Sequence, residues 1–189
     1  MGFADAARAE RLLLTDIGVT PGELDSDVIV TALAAAADPD LALSGLARIV
    51  MAADDPAALR AALRGEEDFR DRLTAVLGVS AGLADHLARH PGDCAVLRGA
   101  ASRPGPADLR RGLLGAVGAD PTGPKDPLAC GNDTVAALAA AYRRRLAHLA
   151  ARDMTGAATV DAVAEELADI AAAVLEAALA IARAELPPG

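Results

Sequence analysis

Tryptophan is absent from this 189-residue chain and aromatics make up only 2% of it, with Phe3, Phe69 and Tyr142 the full set. Strands favour aromatic and β-branched side chains to cover a pleated face, so the shortage argues against a sheet. It also removes the stacking platforms on which single-stranded nucleic acid is held. Basic charge is short as well: Lys125 is the single lysine and the net charge is −9. Neutralising a phosphate backbone needs Lys and Arg, so no nucleic-acid partner is expected. The two cysteines, Cys94 and Cys130, show no CxxC spacing, and Asp5, Arg8, Glu10 and Arg11 interrupt the N-terminus where an export signal would lie. The expected compartment is the cytosol. The longest apolar run, Leu167 to Ala184, carries Asp169, Glu176 and Arg183, which are costly in hydrocarbon, so no membrane span is expected. Its polar face is acidic, which also argues against a membrane-surface helix.

What the chain has instead is alanine, which supplies much of a hydrophobic content of 53%. Alanine loses no side-chain entropy in a helix, so the composition predicts an all-α fold with close packing through small side chains. Asp38-Pro39 and Asp55-Pro56 each provide an N-cap acceptor followed by a residue whose φ is already set for the first turn. From such starts, and from Gly65 and Gly78 as C-terminal stops, short helices are expected near 4–17, 27–37, 40–53, 56–64, 66–77, 80–90 and 107–117. In the third of these Leu41, Leu43, Leu46, Ile49 and Val50 form one apolar stripe. Gly and Pro gather in 99–106 and 118–131, which predicts surface loops.

Two long helices follow. The first, near 133–153, has Val135, Leu138, Tyr142, Leu146 and Leu149 on one face. The second, near 160–186, starts at a Thr159 cap and places Val160, Val163, Leu167, Ile170, Val174, Leu175, Leu179, Ile181 and Leu186 on one broad stripe. The expected architecture is a single helical domain over 1–189: short helices to about 117, a loop over 118–131, and a long-helix pair over 133–186.

Four strings invite a chemical reading. Asp25-Ser26-Asp27 has the carboxylate spacing that holds Mg²⁺ on a strand, but it leads into Thr31-Ala32-Leu33-Ala34-Ala35 and reads as an acidic helix start. Gly118 to Lys125 resembles a phosphate loop only superficially, because Pro124 removes an amide and Asp126 stands where Ser or Thr belongs. His86 and His90 are four apart with Asp85 and Cys94 nearby, yet Pro91-Gly92 should end the helix before Cys94. Cys94 and Cys130 read as buried or incidental thiols. No catalytic, cofactor-binding or metal residue is assigned, and Arg143, Arg144, Arg152 and Asp153 stand as the candidate contact for another domain or partner.

Three groups of residues together resemble the N-terminal part of the glutamine synthetase adenylyltransferase family. They are Asp38 to Leu43 with Leu46-Ala47-Arg48; Arg72 to Gly78 with Asp85-His86-Leu87 and Arg89-His90-Pro91; and Tyr142 to Leu146 with Ala150 to Gly156 and Glu165 to Ala171. The alanine- and arginine-rich style is that of a high-GC bacterium. Two departures stand out, Cys94 where the family commonly has Trp and His148 where it commonly has Arg.

The resemblance implies an enzyme that adds AMP to a glutamine synthetase tyrosine from ATP with Mg²⁺, and removes it by phosphorolysis to ADP. It also implies that this helical segment precedes a nucleotidyltransferase domain whose Gly-rich turn and Ser-Asp-x-Asp motif lie outside these residues. The expected role is therefore a non-catalytic scaffold, with that domain and glutamine synthetase as partners. The alternatives are a free-standing interaction module that binds glutamine synthetase or a nitrogen-signalling protein through Arg143 to Arg152, and an unrelated helical protein with an apolar groove.

Overall fold

The computed structural model describes residues 2–22, 24–98, 102–120 and 131–185, and there is no β-strand among them. Helix α1 (Ala6–Arg11) runs on as a π-helical turn, Leu12–Ile17. Then come α2 (Leu24–Ala35), α3 (Pro39–Ala52), α4 (Pro56–Gly65), α5 (Glu67–Val79), α6 (Ala81–Arg89) and a 3-10 segment, Pro91–Leu97. Helices α7 (Pro106–Ala116), α8 (Asn132–Met154) and α9 (Val160–Glu185) complete the chain. The all-α expectation holds.

The helix starts form as the side-chain chemistry requires. Asp38 Oδ1 accepts from Leu41 N at 2.9 Å, Asp55 Oδ1 accepts from Ala58 N at 2.9 Å, and Thr159 Oγ1 accepts from Ala162 N at 3.2 Å. Each satisfies an amide that a helix leaves without an internal partner. Two irregular segments were not foreseen. The π turn swings Leu13 and Ile17 into the core and ends at Gly18, whose φ of 73° suits glycine. The 3-10 segment carries Cys94 and Leu97 inward after Pro91 has stopped α6. Much of the loop expected at 118–131, and residues 99–101 of the earlier one, lie outside the described residues.

The chain divides into two compact units: 1–100 with 150–157, and 101–149 with 158–189. Helix α7, grouped above with the short helices, packs instead on α9 in the second unit. In the first unit α3 is the central element, touching the π turn, α5 and α6. Its Leu43, Leu46, Ile49 and Val50 join Leu33, Leu63, Phe69, Leu73 and Leu77 in one core.

The second unit has a separate core of Leu109, Leu113, Leu114, Leu138, Ile170 and Ile181, with Ala173, Ala177 and Ala180 of α9 between them. Here the sequence expectation for α9 fails in a specific way. Ala173, Ala177 and Ala180 face inward beside Ile170 and Ile181, while Leu167, Leu175 and Leu179 are 43%, 70% and 48% exposed. Both faces are apolar, so periodicity alone could not choose between them, and the small side chains take the position where α7 comes close.

Glycine plays two different parts in the first unit. Gly78 does not stop α5, which continues through Val79; a Cβ there would lie 2.8 Å from Ala36 Cβ and 3.2 Å from Ala37 N. Gly65 ends α4 in open space. Gly78→Ala should therefore lower unfolding free energy by about 1–3 kcal/mol through overpacking. Gly65→Ala should be neutral or raise it by up to about 1 kcal/mol through lost backbone freedom. Chemical denaturation of the two variants checks this, and equal effects would contradict close packing at Gly78.

Candidate functional site

The first unit holds a groove of ≈ 560 Å³ between α2, α5 and the end of α8, with Val28, Ala32 and Met154 among its walls and Asp27, Glu67 and Asp71 among its lining residues. Asp27 stands on a helix, as the acidic-start reading requires, and its Oδ1 accepts from Gly22 N at 2.9 Å. The carboxylate thus holds the turn before α2. Arg70, 9% exposed, lines the same groove; its Nη1 donates to Leu63 O at 3.3 Å. Its Nε lies 3.4 Å from Asp71 Oδ1 without the alignment of a hydrogen bond.

The histidine cluster separates into structural contacts. His86 is 1% exposed, and its Nε2 lies 2.9 Å from Asp93 Oδ2, tying α6 to the 3-10 segment. The His86 and His90 rings lie 4.9 Å apart at 40°. Asp85 turns elsewhere, pairing with Arg48 Nη1 at 2.6 Å. Among the described residues no group of three or more His, Cys, Asp or Glu is arranged to hold a metal ion.

Cys94 is buried beside a hollow of ≈ 270 Å³ lined by Leu59, Phe69, Pro91 and Arg98. The Arg98 guanidinium sits 4.7 Å over the Phe69 ring, and its Nε meets Glu66 Oε2 at 2.9 Å. The hollow beside so small a side chain is space that a larger one would fill. Burial, and then the nearby Asp93 carboxylate, pushes the Cys94 thiol up to about 12.

The candidate contact residues divide by accessibility. Arg143 is exposed, Arg144 and Asp153 are half-buried, and Arg152 is 4% exposed. Arg152 therefore lies inside the fold, leaving Arg143 as the most open of the four. Burial, followed by repulsion from Arg144, holds the Arg145 guanidinium below the ordinary arginine value.

The second unit also contains ion pairs that helix periodicity could not show. Arg103 reaches Glu165 Oε2 and Asp169 Oδ2, both at 2.5 Å, while Arg110 uses Nε and Nη2 to grip Glu176 at 2.7 Å. Hydrogen bonds donated to Asp169 and then to Glu165 hold Arg103 above the usual arginine value, and those donated to Glu176 do the same for Arg110. Arg103 lies in the segment before α7 and Arg110 on α7, and both face the acidic edge of α9. Deeper in, Glu166 is 1% exposed with His148 Nδ1 4.0 Å from its Oε1. The imidazole at position 148 thus faces a buried carboxylate.

The chain is 45% identical over 192 residues to the bifunctional glutamine synthetase adenylyltransferase/adenylyl-removing enzyme of Streptomyces avermitilis and 44% over 193 residues to that of Streptomyces coelicolor; each alignment covers 98% of this chain and 17% of the relative. The Mycobacterium avium enzyme is 37% identical over 195 residues, covering 96% of the chain and 18% of the relative. The chain therefore spans about 17% of the length of these two Streptomyces relatives. No family model and no solved structure matches it.

The Cys94 environment fixes the sign of a pH effect. A thiol whose folded value is about 12 against an ordinary 9.0 stabilises the fold fully below pH 9, and that contribution is lost as pH rises towards 12. The loss amounts to a few kcal/mol, on the order of 1.4 for each unit of pKa. Thermal melts between pH 8 and 11 should fall more steeply for the native chain than for Cys94→Ala. At neutral pH the Cys94 thiol should react with maleimide far more slowly than a free thiol until denaturant is added.

Proposed function

Because this chain is related along nearly its whole length to one segment of the bifunctional glutamine synthetase adenylyltransferase/adenylyl-removing enzymes, we propose that it is a helical scaffold for such an enzyme and has no catalysis of its own. The carrying observation is the likeness itself, which extends over 98% of the chain yet is confined to 17% of the relative. The chemistry of the residues agrees. Asp27 anchors a turn, His86 and Asp93 join two helical segments, and Cys94 is buried with its thiol protonated at neutral pH. The reacting groups, with ATP and Mg²⁺ for addition of AMP and phosphate for its removal, belong in this reading to a nucleotidyltransferase domain outside the segment. The scaffold would work in the cytosol, where glutamine synthetase is its indirect partner.

Two assays test the proposal. The isolated chain should neither adenylylate glutamine synthetase with ATP nor release AMP from the adenylylated form with phosphate. When it replaces the matching segment of the Streptomyces avermitilis enzyme, AMP removal should stay within about tenfold of the unaltered enzyme. Turnover by the isolated chain, or a soluble chimera without removal activity, would overturn the reading.

A further inference from the structure

The outward face of α9 has an unusual composition for a surface. Between Leu167 and Ala182 every exposed residue of the helix is alanine or leucine. At about 100° per residue these side chains fall within roughly 80° either side of Leu175, forming one continuous strip some 20 Å long. Leu175 at its centre is 70% exposed. Charge appears at the two ends, with exposed Asp161 and the Arg103-paired Glu165 before the strip and exposed Arg183 and Glu185 after it. The opposite side of α9 already packs through Ala173, Ala177 and Ala180, so the strip is a second apolar face on a helix whose first is filled. A contiguous apolar surface of this kind marks a contact site, and one apolar on both sides belongs to a helix enclosed from both.

Resting on the scaffold reading above, we propose that this face is covered by a helix from the polypeptide that the longer relatives carry beyond the matched segment. Alanines at 168, 171, 172, 178 and 182 leave shallow gaps between the leucines, which suits a helix seated at short distance. The charge before the strip defines part of its complement: a cationic side chain where it passes Asp161. The matched relatives share the segment and carry a polypeptide several times its length. A tethered helix meets the strip at an effective concentration near millimolar, which outcompetes a second copy of the chain at micromolar concentration.

Maleimide labelling tests the face directly. Leu175→Cys in the isolated chain should react quickly, judged against the unaltered chain. In the Streptomyces avermitilis enzyme, a cysteine at the position aligned with Leu175 should react at least about tenfold more slowly under native conditions, with the difference lost in denaturant. Equal rates in the two proteins overturn the proposal. So does a dimer of the isolated chain that Leu175→Arg separates, since the face would then belong to a second copy. Equal rates with an active chimera sink the α9 contact and leave the scaffold reading standing, whereas an inactive chimera with a shielded cysteine does the reverse.

Discussion

Gly45 allows three helices to meet. A Cβ at this position in α3 would lie 3.1 Å from Leu77 Cδ2 and 3.3 Å from Ala84 Cβ, so α5 and α6 come within contact distance of the α3 backbone. With large side chains scarce, burial in this unit depends on such approach. Alanine and glycine let helix axes close up, and the leucines and isoleucines around them then fill the remaining space at interior density. Residues in α3 are consequently buried on more than one side: Ala42, Leu43, Gly45, Leu46, Ala47, Ile49 and Val50 are all inside. The close contact of Gly78 with Ala36 repeats the arrangement where α5 passes the end of α2.

The second unit solves the same packing problem with alanine on α9 and adds charge. Arg103 and Arg110 draw Glu165, Asp169 and Glu176 into pairs along one edge of the helix. This leaves a strip between Leu167 and Ala182 from which charge has been removed. The bidentate grip of Arg110 on Glu176 fixes an orientation as well as a distance, which a single point charge would not do. Glu166 is buried with His148 Nδ1 4.0 Å from its Oε1, and its charge acts favourably on Arg145. Acidic residues that dominate the net charge thus have definite structural tasks on this helix.

Helix positions were legible in the sequence because they depend on local chemistry. Asp38, Asp55 and Thr159 accept the amides that their spacing to the first turn predicts. The π turn at Leu12–Ile17 and the 3-10 segment at Pro91–Leu97 were not legible, since both are set by how the side chains must enter a tertiary core. Of the polar candidates, the helical setting of Asp27 could be read from the residues that follow it. The pairing of His86 with Asp93 could not, because it spans a helix end. Which of α9's two apolar faces is buried, that of Ile170, Ala173, Ala177, Ala180 and Ile181, also escaped periodicity, which counts every one of these residues and the exposed leucines alike as apolar.

The resemblance and the fold therefore carry different kinds of information. Family likeness attaches to groups such as Ala150 to Gly156, yet within that group Arg152 is buried and Asp153 half-buried, so a matched charged residue need not be a contact surface. Conversely, Leu175 and Leu179 have no catalytic chemistry and would attract no attention as a motif, while their exposure distinguishes a free surface from one suited to another helix. Cys94 follows the same logic from inside. The thiol that the sequence reads as buried or incidental is a small core side chain with space left beside Phe69. In this chain the meaning of a residue is decided by which side of a closely packed helix it occupies, and that is a property of the assembled unit.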